Sequence, residues 1–341
     1  VSAPASTVDL TEITRNGVIE SVHRGAVVVT RGSTIVEAWG DPHQLVFARS
    51  TTKPFQALPF VENGGLERYS VLPVELALMM ASHGGTPEHV AGVLGLMKKL
   101  GVKPDDLQCG THAPFDVPSS HALIRAGERP SVLHNNCSGK HTGFVALARD
   151  MGGEITRYLD PTSISQRAVY EAVRSMTETR DDELFVGSDG CCAPTFRMPL
   201  VALARGFGKL ARPVGCTPQR TRALEAMLAA VTAHPTSFSS PGRLEEALLQ
   251  TYPGRVFPKN GAEGVCAIGL PGIGVGIAIK VTDGHERGYI PTAMAVLKHL
   301  GLFTATPPAL TRFERPNILD ANRRVVGHAV STLFPSGAST S

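Results

Sequence analysis

The chain has 341 residues, of which 42% are hydrophobic and 18% are charged, with 33 Lys and Arg against 30 Asp and Glu. This composition excludes an intrinsically disordered chain, and a net charge of only +3 without a basic stripe argues against nucleic-acid binding. No segment approaches the ~18 consecutive apolar residues of a membrane span, and the N-terminal segment lacks the basic and apolar regions of a signal peptide, so we expect no membrane association.

The N-terminal part of the chain is typical of β-strands. Two runs rich in β-branched residues flank Gly32, which predicts a tight hairpin, and a third short run follows. These runs cover residues 25–31, 33–39 and 45–48. The Ser and Thr residues ahead of Pro54 predict a helix start, because proline tolerates the first helical turn. Gly64 and Gly65 would end that helix.

The middle of the chain is mainly helical in pattern, and strand patterns return near its end. The predicted helices, each edged by Pro or Gly, are 73–82, 87–100, 140–151, 163–176, 218–234 and 242–252. The later strands are 264–270 and 274–282, and a final helix covers 289–300.

Strands at both ends around a helical middle predict an α/β (α+β) fold with one antiparallel sheet, built from N- and C-terminal strands and interrupted by a helical insertion. We expect a sheet-containing α/β domain of residues 1–72 and 255–341. Residues 73–254 would form a mainly helical region that carries a Cys/Lys site, or the two parts would make one compact unit.

Ser50 and Lys53 stand in an S-x-x-K spacing at the predicted start of a helix. Residues three apart share a helix face, so the amine can lie beside the hydroxyl. A desolvated lysine near a second cation can be neutral and take the proton of a serine. The spacing is common by chance, and a capping serine with a solvated lysine is its more frequent explanation.

Two other segments add polar candidates. Lys259-Asn-Gly precedes a predicted strand and, combined with the S-x-x-K spacing, is similar to the K-T-G element of serine penicillin-recognising enzymes. The S-D-N element of those enzymes is absent, and Ser82-His83-Gly-Gly stands at a suitable place. The structural alternative is a serine at a helix end with glycines that cap the helix.

A third cluster combines residues 135–143, Asn-Asn-Cys-Ser-Gly-Lys-His-Thr-Gly, with residues 187–194, Gly-Ser-Asp-Gly-Cys-Cys-Ala-Pro. Cys137 and Lys140 would share a helix face, and Cys191 would complete a small site. Two thiolates suit Zn²⁺, but the usual preference of zinc selects His141 over Lys140 as a further ligand. Cysteines that act only as small buried hydrophobes are the structural alternative.

The chain has six cysteines, none in a Cys-x-x-Cys pair. This number is too small for a disulfide scaffold and fits a reducing compartment, so we expect a cytoplasmic protein.

Together these motifs resemble the rhizobial-type L-asparaginases, the asparaginase II family. The resemblance rests on residues 49–56 (Arg-Ser-Thr-Thr-Lys-Pro-Phe-Gln), 81–85, 109–112, 134–141, 158–161 and 187–191, and it extends from about residue 19 to residue 329. It implies a serine β-lactamase-like fold, shared with the penicillin-recognising enzymes, and a homodimer.

The resemblance also implies roles for individual residues. The catalytic residues would be two serine–lysine pairs, Ser50 with Lys53 and Ser82 with Lys259, where Lys280 is the alternative to Lys259. The zinc ligands would be Cys137, Lys140 and Cys191, so that Lys140 replaces His141. Arg49 and Asp189 match polar residues around the substrate and metal, and we place His83 beside the substrate as well.

We therefore expect hydrolysis of the side-chain amide of L-asparagine to L-aspartate and ammonia. Ser50 would attack, Lys53 would accept its proton, and Ser82 with Lys259 would relay a proton to the departing ammonia; Ser82 is the alternative nucleophile. Zn²⁺ would organise the substrate pocket rather than generate hydroxide. Three other functions stay open: a glutaminase, a β-lactamase or peptidase of the same fold, and a non-catalytic zinc- or redox-sensing protein.

Overall fold

A computed structural model describes residues 7–334 of the chain. Its larger sheet is antiparallel and contains eight strands, formed by the two ends of the chain. They are β1 (Val8–Arg15), β2 (Val18–Arg31), β3 (Thr34–Trp39), β7 (Phe257–Gly261), β8 (Val265–Leu270), β9 (Val275–Val281), β10 (Asn317–Leu319) and β11 (Val325–Ser331). Their order is β10-β11-β1-β2-β9-β8-β7, and β3 pairs with β2 outside this path. The predicted joining of N- and C-terminal strands in one sheet is confirmed.

The hairpin predicted around Gly32 is present between β2 and β3. Arg31 pairs with Thr34, so the connection has two residues, and Gly32 adopts a left-handed conformation with φ of 59°. A residue without a side chain takes this conformation without strain, which explains the glycine at this turn.

A second sheet of three strands was not predicted. It contains β4 (Leu45–Phe47), β5 (Phe185–Ser188) and β6 (Pro194–Pro199), with β6 in the centre. Two of these strands lie within residues 73–254, which the sequence predicts as helical. The small sheet positions the site, because β4 leads directly into Arg49 and Ser50 and the β5–β6 turn contains Asp189 and Cys191.

Thirteen helices are present in residues 7–334. They are α1 (Lys53–Glu62), α2 (Gly65–Arg68), α3 (Pro73–Met79), α4 (Pro87–Leu100), α5 (Val117–Ala126), α6 (Ser138–Asp150), α7 (Ile164–Thr177), α8 (Leu200–Ala211), α9 (Pro218–Ala233), α10 (Pro235–Phe238), α11 (Leu244–Thr251), α12 (Glu286–His299) and α13 (Thr311–Glu314). The predicted helices are confirmed to within a few residues at their ends. The short helices, α5 and the buried α8 were not predicted.

The buried helix α8 packs against the centre of the larger sheet, on β2, β8 and β9. Gly276 of β9 permits this close approach, since a Cβ there would overlap the carbonyl oxygen of Ala204 in α8. Buried apolar residues of the terminal strands and of the intervening helices form one cluster. Within residues 7–334, no helix has both the length and the apolar character that crossing a bilayer requires.

Candidate active site

The side chain of Ser82 lies between two buried lysines that are far apart in the sequence. Lys53 Nζ, at the start of α1, donates a hydrogen bond to Ser82 Oγ at 3.0 Å. Lys259 Nζ, on β7, donates to the same oxygen at 2.8 Å. Both lysine side chains are almost completely buried, whereas Ser82 is partly exposed in the loop after α3. Three of the four predicted catalytic side chains therefore form one hydrogen-bonded chain.

Each amine has further partners that hold it in place. Lys53 Nζ also donates to the backbone oxygens of Ala81 and Asn136, and Lys259 Nζ donates to the backbone oxygen of Asn260 at 3.2 Å. These partners fix both amines beside Ser82 and leave little freedom for either to move away.

Burial and the positive charge of Lys53 lower the pKa of Lys259 to about 7. Both effects disfavour the charged form, because an ammonium loses hydration in the interior and is repelled by a second cation. A large fraction of Lys259 is therefore neutral at physiological pH, which is the state in which a lysine can accept a proton.

Ser50 lies in a short helical turn, Arg49–Thr52, between β4 and α1. It is partly exposed and lines the same cavity as Ser82, a space of about 770 Å³. Among residues 7–334, the Ser50 side chain has no hydrogen-bond partner, so the predicted pairing with Lys53 is not a direct contact; Lys53 instead contacts Ser82. The Ser50 hydroxyl is free to meet a molecule in the cavity.

The residue before Ser50 has an unusual backbone conformation. Arg49 has a φ of 51°, in the left-handed region that non-glycine residues rarely adopt. Such conformations cost energy and persist where the surroundings enforce them, often at functional sites. Arg49 Nε donates to Asp189 Oδ1 at 2.8 Å, which ties this turn to the β5–β6 turn. Burial raises the pKa of Asp189, but the charges of Lys140 and Arg49 outweigh it and the pKa lies below its ordinary value.

Gly261, the glycine of the Lys259-Asn-Gly motif, allows β7 to approach the turn that carries Ser50. A Cβ at this position would lie 2.6 Å from Val265 Cγ1 and 3.0 Å from the backbone oxygen of Ala48. The first distance is shorter than real Cβ contacts and the second is unusually tight, so a side chain at this position would displace Val265 or the turn. The close approach brings Asn260 and Gly261 of this motif to the cavity that Ser50 lines.

Cys137 and Cys191 line this cavity, and the buried Lys140 contacts Cys191. Lys140 Nζ donates to Cys191 Sγ at 3.3 Å, and a hydrogen bond from Cys191 lowers the pKa of Cys137. Burial lowers the pKa of Lys140, but the negative charge on the pair of Cys191 and Cys137 outweighs it and raises the pKa above its ordinary value. Two sulfurs and one nitrogen in contact are a donor set that fits Zn²⁺.

This set differs from the usual protein metal sites. Among residues 7–334, no three His, Cys, Asp or Glu side chains are grouped as ligands of a metal ion. His141, which zinc chemistry alone would prefer, has its Nδ1 2.7 Å from the hydroxyl oxygen of Tyr158, and its Nε2 is buried without a partner.

His83 does not line the cavity, although the sequence predicts a place beside the substrate. Its ring is fully buried and stacks on His89. The backbone N–H of Gly85 donates to Nδ1 at 3.2 Å, and Nε2 lies 2.9 Å from Ser138 Oγ. His83 would therefore affect a substrate only indirectly, by its packing in the loop after Ser82.

Several polar residues of the cavity were missed by the sequence analysis. Arg243, Glu286 and Tyr289 line its far side, and Arg243 Nη2 forms an ion pair with Glu286 Oε2 at 2.9 Å. They lie in or beside helices α11 and α12, and none belongs to a local motif. His112 and Phe115 stack on each other at another edge of the cavity. His112 belongs to segment 109–112, which the sequence analysis had already singled out, whereas only the tertiary structure identifies the other residues.

The fold therefore combines helices with an antiparallel sheet around a cavity lined by two serines, one of which is hydrogen-bonded to two buried amines, an arrangement suited to hydrolysis of an acyl compound. The family model for L-asparaginase II matches residues 11–331, nearly the whole chain. The chain belongs to the L-asparaginase II family and is an enzyme of the amidohydrolase type. No curated protein matches it.

Solved structures similar to this chain include a β-lactamase from Mycobacterium bovis, with 16% identity, a TM-score of 0.41 and coverage of 81% of this chain and 94% of that chain. A D-alanine carboxypeptidase from Burkholderia cenocepacia is similar to the same degree, with 14% identity, a TM-score of 0.41 and coverage of 81% and 93%. The likeness is confined to the general arrangement of helices and sheet, and it carries no information on individual residues.

Proposed function

We propose that this protein is an L-asparaginase that hydrolyses the side-chain amide of L-asparagine through a serine–lysine acyl-enzyme. The observation that carries the proposal is the hydrogen-bonded chain Lys53–Ser82–Lys259 at the wall of a cavity that also exposes Ser50. Family membership supports an asparaginase-type substrate. Arg49 and Asp189 would bind the charged α-carboxylate and α-ammonium groups of the amino acid.

Ser50 Oγ attacks the amide carbon, and its proton passes through Ser82 to the neutral amine of the lysine pair. The carbon–nitrogen bond then breaks, and the same proton returns to the nitrogen, which leaves as ammonia. Water next attacks the Ser50 ester by the reverse proton route, releases L-aspartate and restores the serine. The low pKa of Lys259, about 7, supports its role as the amine that accepts and returns the proton.

The direct contact of Ser82 with both amines favours a second assignment, in which Ser82 is the nucleophile and Ser50 positions the substrate. An asparagine analogue with a diazoketone in place of the amide would alkylate the attacking hydroxyl, and peptide mass spectrometry would locate the label. We expect the label on Ser50. A label on Ser82 would exchange the two roles, and a label on neither serine would contradict the acyl-enzyme mechanism.

We propose Zn²⁺ as the resident cofactor, held by Cys137, Lys140 and Cys191. When bound, the ion supplies a positive charge beside the cavity that orients polar groups of the substrate. Lys140 must lose its proton to act as a ligand, whereas the low pKa of Cys137 provides a thiolate directly. The nearby ion pair of Arg49 and Asp189 would place the substrate between this site and the two serines.

The activity is tested by measuring ammonia release from L-asparagine, L-glutamine and D-asparagine. We expect hydrolysis of L-asparagine, with Ser50→Ala and Lys53→Ala each reducing kcat at least about 10³-fold. Glutamine should be a poor substrate, since one methylene changes binding by only about 1–3 kcal/mol. Preference for glutamine would indicate a glutaminase, and hydrolysis of a chromogenic β-lactam would indicate a β-lactamase. Absence of ammonia release from any amide would indicate a sensing role.

We further propose a cytoplasmic homodimer. The six cysteines are free thiols, which supports a reducing compartment. Light scattering of the purified protein would measure its oligomeric state, and a monomer at all concentrations would contradict the dimer.

A further inference from the structure

Glu245 is a buried carboxylate that the proposed mechanism does not use. It lies at the start of α11 and is only 3% exposed. Neither of its carboxylate oxygens has a hydrogen-bond partner among residues 7–334. A buried, unpaired carboxylate is costly for a folded protein, because an ionised group loses its hydration without compensation. Such a group needs a charge of opposite sign nearby.

The nearest elements supply that charge. Helix α11 packs against β7, the strand that carries Lys259. The groups that interact electrostatically with Glu245 are Lys259, Arg243, Tyr289 and Cys266, which come from β7, the segment before α11, α12 and β8. On α9 and α10, which also pack against α11, the buried side chains are apolar: Ala223, Leu224, Met227, Ala230, Val231 and Phe238.

Arg243, two residues before Glu245, shares the charge of that carboxylate, since Glu245 is the strongest of the groups that raise the pKa of Arg243, ahead of Tyr289 and Glu286. It forms an ion pair with Glu286 and is partly exposed in the cavity, where water competes for it. Lys259, in contrast, is buried, and its amine faces the Phe238 ring at 5.4 Å. Its charge is opposed by Lys53 across Ser82, so a carboxylate on the adjoining helix α11 favours the protonated form of the Lys259 amine.

We propose that Glu245 is a positioning residue for Lys259: its buried carboxylate is the counter-charge that lets the Lys259 amine take up a proton between Ser82 and Asn260. The inference rests on the proposed function only where it assigns this proton a role in amide hydrolysis. Without Glu245, a second positive charge beside Lys53 would lose the strongest of the negative charges that act on Lys259 among residues 7–334.

The pKa values fit this arrangement. Burial and the charge of Lys53 lower the pKa of Lys259, and the charge of Glu245 acts in the opposite direction. Arg243 lowers it further, and the more distant Cys137 raises it. Glu245 is thus the strongest of the groups that favour the protonated amine.

The test is a titration of Lys259 that does not require turnover. The chain has nine lysines, so protein labelled with ¹³C at the lysine ε-carbon gives a simple NMR spectrum, in which a Lys259→Arg variant identifies the Lys259 signal. In the Glu245→Gln protein we expect the titration midpoint of this signal to fall by about one pH unit relative to wild type. Glu245→Met provides a second variant, with an apolar side chain, in case the Glu245→Gln protein does not fold. It should shift the titration midpoint of Lys259 in the same direction.

Glu246→Gln is the matched control. Its carboxylate is the next along α11, but it accepts a hydrogen bond from the backbone N–H of Gly242 and does not act on Lys259. An unchanged midpoint in both Glu245 variants, or an equal shift in Glu246→Gln, would overturn the inference. If wild type released no ammonia from any amide, the proposed function would fail while the titration still decided the role of Glu245.

If the asparaginase activity is confirmed, the pH profile gives a second readout. In Glu245→Gln, the midpoint of the kcat/KM profile should move to lower pH by the same amount as the NMR titration midpoint. The shape of the pH profile should therefore change, rather than the activity falling equally at every pH. A loss that is equal at every pH would indicate a purely structural role and contradict the inference.

Discussion

The lysine on β7 provides the sharpest prediction for catalysis. Lys259 has a pKa of about 7, so its neutral fraction increases from about one-tenth near pH 6 to about nine-tenths near pH 8. If the neutral amine accepts the serine proton, kcat/KM for L-asparagine should rise about tenfold over this interval. The sign follows from the direction of proton transfer, since a protonated amine has no lone pair with which to accept.

Replacement of Lys259 by Met keeps the length and apolar stem of the side chain and removes the amine from Ser82. We expect Lys259→Met to lose about 10²–10⁴ in kcat and to abolish the rise between about pH 6 and pH 8. Lys280→Met is the matched control, because Lys280 lies on β9, donates to the backbone oxygen of Glu263 and has no contact with Ser82. Ammonia release measured in overlapping buffers of constant ionic strength provides the assay.

A wild-type profile that is flat or falling between about pH 6 and pH 8 would refute this reasoning, as would a Lys259→Met enzyme that retains the rising limb. Thermal unfolding of each variant separates a chemical effect from a loss of the folded protein. If Lys280→Met caused the same changes as Lys259→Met, the rise of kcat/KM with pH would not report the titration of Lys259.

Three further predictions concern the metal, the substrate and the fold. Cys191→Ser should lose the bound zinc found by elemental analysis, whereas Cys192→Ser, which changes the exposed neighbouring thiol, should retain it. Asp189→Asn should raise KM for L-asparagine about tenfold, because it removes the anion that orients both the adjacent arginine and the substrate, and steady-state kinetics would detect this. Gly276→Ala should reduce the free energy of unfolding by about 1–3 kcal/mol in denaturant titrations, since its Cβ meets the backbone of α8, whereas Gly272→Ala, with open space around it, should be nearly neutral.

Much of the fold was predictable because local patterns determine it. Alternating β-branched residues, turn glycines and prolines at helix starts located the β2–β3 hairpin, α1 and most of the longer helices. The strands β5 and β6 were missed because they are short and Pro- and Gly-bounded. Helix α8 was missed because only Arg205 and Lys209 interrupt its apolar residues and because it contains two glycines, which are poor helix formers.

The candidate site divides in the same way. Spacing of residues along one segment brought Cys137 and Lys140 to one helix turn and identified Ser50, Ser82 and Lys259 as chemically capable groups. It also suggested a direct Ser50–Lys53 contact. The structure instead directs the Lys53 amine to Ser82, because the side chain extends from the start of α1 toward the end of α3 and is held there by the backbone oxygen of Ala81.

The amino-acid sequence by itself thus determined the kinds of reactive group, the β2–β3 hairpin and most of the longer helices, and the family to which the chain belongs. The tertiary structure alone decided which amine meets which hydroxyl, which charges face each other in the interior and which histidine is buried away from the cavity. The physical reason is that hydrogen bonds and pKa values depend on distance and burial between segments as remote as residues 53, 82, 245 and 259, and no local pattern encodes those quantities.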